Sequence, residues 1–207
     1  MILSGKLPRR EVLISLVPLA LTAGLSLSAG SPGAGQISSD ARILVAYFSR
    51  TGNTRVIAGQ IRRALGADLF EIQPAQAYPE DYQATVSQAQ RERDTGYEPP
   101  LNQRVWNIGA YQVVFLGFPI WGMTAPPVIR SFLSGHELSG KTLVPFITHG
   151  GYGIGQSLSV VAEHAPRARL IQGFSKQADQ ERETLMQVTR WLQGLDPVND
   201  PAKLPTP

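Results

Sequence analysis

The sequence predicts an α/β domain, a three-layer α/β/α sandwich built on a five-stranded parallel sheet. Three observations predict it. From Ala41 onward, apolar runs alternate with amphipathic helical patterns, the order that yields a parallel sheet covered on both faces. The strongest runs, Ile43–Phe48 and Val113–Phe118, are continuous rather than alternating, as strands buried on both faces are. Three chemically unusual loops, 49–54, 119–123 and 148–155, each follow such a run, at the carboxyl edge where open α/β sheets bind ligands.

The elements follow in order. Ile43–Phe48 is the first strand. The helix after it runs from about Thr54 to Leu65, with Val56/Ile57, Gln60/Ile61 and Ala64/Leu65 on one stripe and Gly66 as its stop. Leu69–Ile72 is the second strand, ended by Pro74. Tyr78 to Tyr82 reads as a turn and helix start. Gln83 to Arg93 continues as a polar helix whose thin apolar stripe is Tyr82, Val86 and Ala89, broken by Gly96 to Pro100. Val113–Phe118 is the third strand. A helix follows Pro126-Pro127, with Val128, Ile129, Phe132 and Leu133 inward. Lys141–Thr148 is the fourth strand, followed by a short helix carrying Leu158, Val161 and Ala165. Arg169–Gly173 is a short fifth strand. The last helix, about Gln180 to Leu195, buries Leu185, Val188, Trp191 or Leu192, and Leu195. Right-handed crossovers leave few topologies for this order.

Composition narrows the chemistry. A chain of 207 residues suits one domain with a full core. There is no cysteine, which excludes disulfides, thiolate metal sites and cysteine nucleophiles. The histidines, His136, His149 and His164, lack metal-ligand spacing, so no metal is expected; His136 and His164 read as surface groups. The formal charge is +3, of which residues 1–36 supply +2 through Lys6, Arg9 and Arg10 against Glu11. The remainder is nearly neutral, with no basic stripe interleaved with aromatics, and no nucleic-acid partner is expected.

The N-terminus reads as an address. Lys6, Arg9 and Arg10 precede the apolar run Val12–Leu21, and small residues follow to Gly35. This is the pattern of an export signal. The run is short for a membrane span and contains Pro18, so the mature chain is expected to have no stable span, an uncleaved anchor being the alternative. Arg9-Arg10 immediately before the run resembles a twin-arginine signal, from which Pro8 and Val12 depart. Residues 1–35 are therefore assigned to signal and linker, with cleavage between Ser26 and Gly35. Residues 41–196 form the domain and 197–207 a Pro-rich tail. The expected destination is the periplasm or another extracytoplasmic space.

The first loop, Ser49-Arg50-Thr51-Gly52-Asn53-Thr54, joins a strand to a helix start. Unpaired N–H groups and the positive end of the helix dipole make such a place an anion site. Ser49, Thr51 and Thr54 add hydroxyls, and Gly52 allows close backbone approach. A plain helix cap is the alternative reading of the same turn.

These residues resemble the S/T-x-T-G-N-T phosphate loop of the flavodoxins. Pro119-Ile120-Trp121-Gly122 is similar to the family's second loop, and Thr148 to Gly155 to its third; the likeness covers about residues 42–195. The resemblance implies strand order 2-1-3-4-5, the short-chain type without an insertion in strand five, and FMN as cofactor. It implies that the first loop holds the FMN phosphate. Trp121 then stacks on the flavin or shields its inner face, or else packs in the core. Gly122 takes the place of the residue whose peptide reverses to hydrogen-bond flavin N5. Tyr152 covers the other ring face, or is an exposed residue of a surface turn. Backbone N–H groups of Gly150, Gly151, Tyr152 and Gly153 read the pyrimidine edge. Thr148 and His149 complete the third loop, His149 donating to flavin or substrate, or only within the loop. No side-chain catalytic group is required, because the flavin carries the chemistry.

The implied function is electron transfer through N5 and the exposed ring edge, to a redox partner protein or a small redox acceptor. An FMN-dependent NAD(P)H or quinone reductase is the alternative; it needs an open pocket beside the ring, for which residues 74–100 and His149 are the lining. A binding module that has lost the flavin is the second. Carrier flavodoxins are strongly acidic around the flavin, whereas here Met123 follows Gly122, the third loop has no carboxylate, and Arg50 and Arg55 flank the first loop.

Overall fold

The computed structural model describes residues 41–177 and 181–195, with residues 181–185 by backbone only. The predicted signal and linker, the tail 197–207 and the side chain of Leu185 lie outside the described residues. The elements are β1 (Ile43–Tyr47), α1 (Asn53–Leu65), β2 (Asp68–Glu71), α2 (Tyr82–Asp94), a 3-10 turn Ile108–Ala110, β3 (Val113–Pro119), α3 (Pro127–Ser134), β4 (Thr142–His149), α4 (Ser157–His164), β5 (Arg169–Leu170), β6 (Phe174–Gln177) and α5 (Glu181–Leu195). The sheet is parallel throughout, in the order β2-β1-β3-β4-β5, with β6 also pairing β4.

The continuous apolar strands are explained by two cores, one on each face of the sheet. Leu44, Ala46, Val114, Leu116, Phe118, Leu143 and Ile147 point into one, against Val128, Ile129, Phe132 and Leu133 of α3 and Val160 and Val161 of α4. Val45, Tyr47, Val113, Phe115, Val144 and Phe146 point into the other, against Ile57, Ala58 and Ile61 of α1 and Val188 and Leu192 of α5. Successive strand residues serve opposite cores because side chains alternate across a sheet. Gly117 interrupts this pattern for a reason of space: a Cβ there would fall 2.1 Å from the ring of fully buried Phe146.

The fifth sheet position is filled by two short segments. Ile171 N donates to Leu143 O at 3.1 Å. The next β4 residue facing that side is Pro145, which has no N–H to give. A Cβ on Gly173 would lie 2.0 Å from Pro145 O. The pairing resumes with Phe146 opposite Phe174, after starting with Thr142 opposite Arg169. One more residue is thus spent on the edge than on β4.

Helix α2 corrects the expected stripe. Asp81 caps it, accepting from Ala84 N at 2.7 Å. Its buried residues are Thr85, Ala89 and Glu92, whereas Tyr82 is 70% exposed. Glu92 is buried because both oxygens are engaged, by Tyr78 Oη at 2.8 Å and by Gln88 Nε2 at 2.8 Å. His136 and His164 are half-buried rather than surface groups. His136 accepts from Val105 N at Nε2, 3.0 Å, and its Nδ1 lies 2.7 Å from Phe132 O. His164 Nδ1 lies 2.8 Å from Val160 O, and its Nε2 is 3.5 Å from Glu98. Among the described residues no helix is long and apolar enough to cross a membrane.

Candidate functional site

β1, β3 and β4 end side by side, and one residue ties their loops together. Thr148 is buried, with Pro119 as its partner on β3. Its hydroxyl lies 2.9 Å from Thr54 Oγ1, and its carbonyl accepts from Ile120 N at 2.8 Å. Second and third loops meet again where Gln156 N donates to Met123 O at 2.8 Å. Gly155 passes so close that a Cβ would lie 2.0 Å from that same oxygen.

In the first loop Gly52 is left-handed (φ 95°) and α1 has no side-chain cap. Ser49 Oγ accepts from Gly52 N at 3.1 Å, which leaves its own proton free to donate. The first helical bond is Val56 N to Gly52 O, 3.0 Å, so the N–H groups of Asn53, Thr54 and Arg55 precede the ladder. No acidic residue stands in the first turn. Arg50 donates to Glu80 O.

The second loop is a two-residue reversal. Trp121 N donates to Thr124 O at 3.0 Å, and the two form an antiparallel bridge. Both central residues are left-handed, Gly122 at φ 58° and Met123 at φ 62°, as a type I′ turn requires. Glycine adopts this at no steric cost, whereas Met123 is strained by roughly 1 kcal/mol. Trp121 is held edge-on by Phe48, with centroids 5.2 Å apart, and by Tyr78, 4.8 Å apart. Burial, then the bond to Glu92, pushes the Tyr78 phenol far above its ordinary range, so it stays a donor and keeps the aromatic group fixed.

These loops open on a cavity of about 230 Å³. Ser49, Arg50, Thr51 and Thr54 line one side, and Pro119, Ile120, Trp121 and Gly122 another. Helix α2 closes it with Tyr82, Thr85, Val86, Ala89 and Arg93. Among the described residues no carboxylate lines it. The guanidinium of Arg93 rests on Gly122, where a Cβ would lie 2.6 Å from Arg93 Cζ. The remainder of the third loop stands apart from this cavity. His149 Nδ1 accepts from Gly151 N at 3.1 Å, and Tyr152 is 86% exposed.

The structure therefore joins most of the first and second loops with Thr148, and leaves His149 to Gly153 beside the cavity. The α2 residues were not individually legible as lining. Their signal is spacing: Tyr82, Val86, Ala89 and Arg93 fall at i, i+4, i+7 and i+11, one helical face. An uncapped helix start with hydroxyls suits a phosphate, and a fixed aromatic beside a turn with positive φ suits a flat ring. The residues present thus fit a flavin nucleotide.

The fold and these loops define a doubly wound α/β protein with its ligand edge at the carboxyl ends of β1, β3 and β4. The flavodoxin family model matches residues 42–195, and the chain belongs to the flavodoxin family. A protein from Bacteroides eggerthii assigned as a flavoprotein is 38% identical, with TM-score 0.65, over 75% of this chain and 98% of its own. Another, from Bacteroides uniformis and likewise assigned, is 28% identical with TM-score 0.66, over 74% and 98%. A flavoprotein from Lactobacillus acidophilus in complex with FMN shares the fold at 19% identity and TM-score 0.58, over 70% and 99%. No curated protein matches the chain in a sequence comparison.

Proposed function

We propose that the chain is an FMN-binding redox protein that exchanges electrons through flavin N5 and the exposed ring edge. FMN, the cofactor of the family, supplies reversible one- and two-electron chemistry when bound. The observation that carries the reading is the junction at Thr148, which holds the ends of β1, β3 and β4 in one buried cluster. The N–H groups at the start of α1, with Ser49 and Thr51, hold the phosphate. The Thr54 hydroxyl, bonded to Thr148, sets the loop against the sheet. Trp121 flanks the ring, and Gly122 reverses its peptide toward N5 at low steric cost. Gly150 to Gly153 meet the pyrimidine edge, with Tyr152 on the outer face. The absorption spectrum of the natively purified protein tests this: flavin bands are expected, and Thr51→Ala/Thr54→Ala is expected to weaken FMN binding at least about tenfold. Unchanged affinity refutes the phosphate assignment.

The lack of carboxylates among the described residues lining the cavity weakens docking to a basic partner protein, which favours a second reading, an FMN-dependent reductase of a small acceptor. Steady oxidation of NADH or a quinol by the purified protein separates reductase from carrier.

The segment before Ala41 is read as an export signal, which would put this chemistry outside the cytoplasm. Fractionation of cells expressing the full chain tests it, with Arg9→Lys/Arg10→Lys expected to retain the protein in the cytoplasm if the twin-arginine route is used.

A further inference from the structure

We propose that Tyr78 and Glu92 are positioning residues for the cofactor: their hydrogen bond sets the angle at which the Trp121 ring meets the flavin. The proposal rests on the FMN reading and deepens it, adding to the site two residues that do not line its cavity.

Two rings fence Trp121. Phe48 and Tyr78 meet it edge-on, at interplanar angles of 82° and 83° and with centroids 5.2 and 4.8 Å away. Such contacts depend on angle as well as on area, so a shift of either ring turns the indole. The two rings differ in what holds them. Phe48 directly follows β1 and its N–H donates to Gly117 O at 2.9 Å, so the sheet holds it. Tyr78 belongs to no strand or helix. Its ring needs an anchor of its own, and the hydroxyl finds one at Glu92 Oε2, 2.8 Å away.

Glu92 is an unusual residue for that place. It is 7% exposed and has no ion-pair partner among the described residues. Its other oxygen accepts from Gln88 Nε2 at 2.8 Å, one turn earlier on α2. Withdrawing a carboxylate from water is costly, and an apolar side chain would pack the same face of α2 without that cost. What the carboxylate adds is direction, because it accepts along set lines. Glu92 thus ties the Tyr78 ring to α2, and through it the Trp121 ring. The same helix walls the cavity with Thr85, Ala89 and Arg93, alongside Trp121 and Gly122. The indole and the helix that border the ligand are therefore held in one fixed relation.

The test uses the full chain with fluorotryptophan in place of its three tryptophans, the Trp121 signal in fluorine NMR being assigned by its loss in Trp121→Phe. Tyr78→Phe removes the hydroxyl alone, and Glu92→Leu removes the acceptor. Glu92→Gln keeps an acceptor of the same shape. In the flavin-free protein the Trp121 resonance is expected to move in Tyr78→Phe and Glu92→Leu and to stay in place in Glu92→Gln. With FMN added, the first two variants are expected to show brighter flavin emission, because a displaced indole quenches less. Their Kd for FMN is expected to rise about threefold to tenfold, the effect of one lost hydrogen bond, and that of Glu92→Gln to stay within about twofold. Val188→Ala, in the core on the other face of the sheet, reports on stability alone: it is expected to lower the urea midpoint and leave resonance, emission and affinity unchanged. An unmoved Trp121 resonance in Tyr78→Phe, or unchanged flavin emission and affinity there, overturns the proposal. So does Val188→Ala reproducing these effects, or Glu92→Gln behaving as Glu92→Leu does. A wild-type protein that binds no FMN refutes the cofactor reading instead; a resonance that moves in flavin-free Tyr78→Phe then still upholds the hold of Tyr78 on the Trp121 ring.

Discussion

The hydroxyls of Thr54 and Thr148 meet at 2.9 Å in the interior, although 94 residues separate them in the chain. One stands in the first turn of α1 and the other next to the end of β4, so this bond fixes the first ligand loop against the third. Thr148→Val would leave the Thr54 hydroxyl buried without its partner. We expect a loss of about 1–3 kcal/mol, read as a lower urea midpoint with unchanged slope. The double variant Thr54→Val/Thr148→Val should recover part of it. Additive losses would show that the pair is not coupled.

Gly122 is constrained twice, by its positive φ and by the Arg93 guanidinium above it. Gly122→Ala should cost roughly 1–2 kcal/mol from the backbone alone, a fall in Tm of a few degrees. Adding Arg93→Ala should return only the steric part. Flavin fluorescence should report weaker FMN binding in the single variant. A Gly122→Ala protein with wild-type Tm and affinity would mean that the turn does not hold its left-handed form.

His136 gives the stability a dependence on pH. Burial is the main cause that lowers its pKa below the ordinary 6.5; the bond to Phe132 O opposes this, and nearby Arg104 adds to it. Protonation would also cost the bond from Val105 N. Between the folded and unfolded values the unfolded chain binds more protons, so stability rises with pH there. The contribution is fully present above about pH 6.5 and is lost as the pH falls through the lower folded value. Denaturation midpoints should show this slope, and His136→Gln should remove it. A slope that persists in the variant belongs to another group.

The absence of carboxylates among the described residues lining the cavity, with Arg50 and Arg93 in that lining, should stabilise negative charge on a reduced flavin. The final reduction potential is expected to be less negative than that of an acidic flavodoxin, and Arg93→Glu should lower it. Potentiometric titration measures both. A wild-type value as low as the acidic carriers show would reject this electrostatic account.

Much of this was legible in the sequence, and the exceptions share a cause. Ile43–Phe48, Val113–Phe118 and the fourth strand were legible because strands between two cores must be apolar at every position. The stop of α1 was legible because Gly66 takes a positive φ that few residues adopt. Helix α2 was misread because its pattern ranks residues by apolarity, whereas its buried face carries Thr85 and Glu92. Thr85 donates to Pro79 O at 2.6 Å and Glu92 accepts from Tyr78, and such partners are invisible to periodicity. Arg93 escaped notice for the same reason: its significance comes from Gly122, which only folding brings beneath it. The two-part fifth strand had a signal in Pro145 and Gly173, but its meaning depended on knowing that they face each other.

That break at residues 171–173 also says where this protein can grow. Across from Pro145 the edge position already makes a detour, and the ladder has no donor there to lose. Extra residues inserted between Ile171 and Gly173 would lengthen an excursion that exists, leaving the Arg169 and Phe174 pairings in register. The sheet thus carries a built-in docking port for new sequence, at its margin and away from β2. A lineage could add a recognition element there without rebuilding either core.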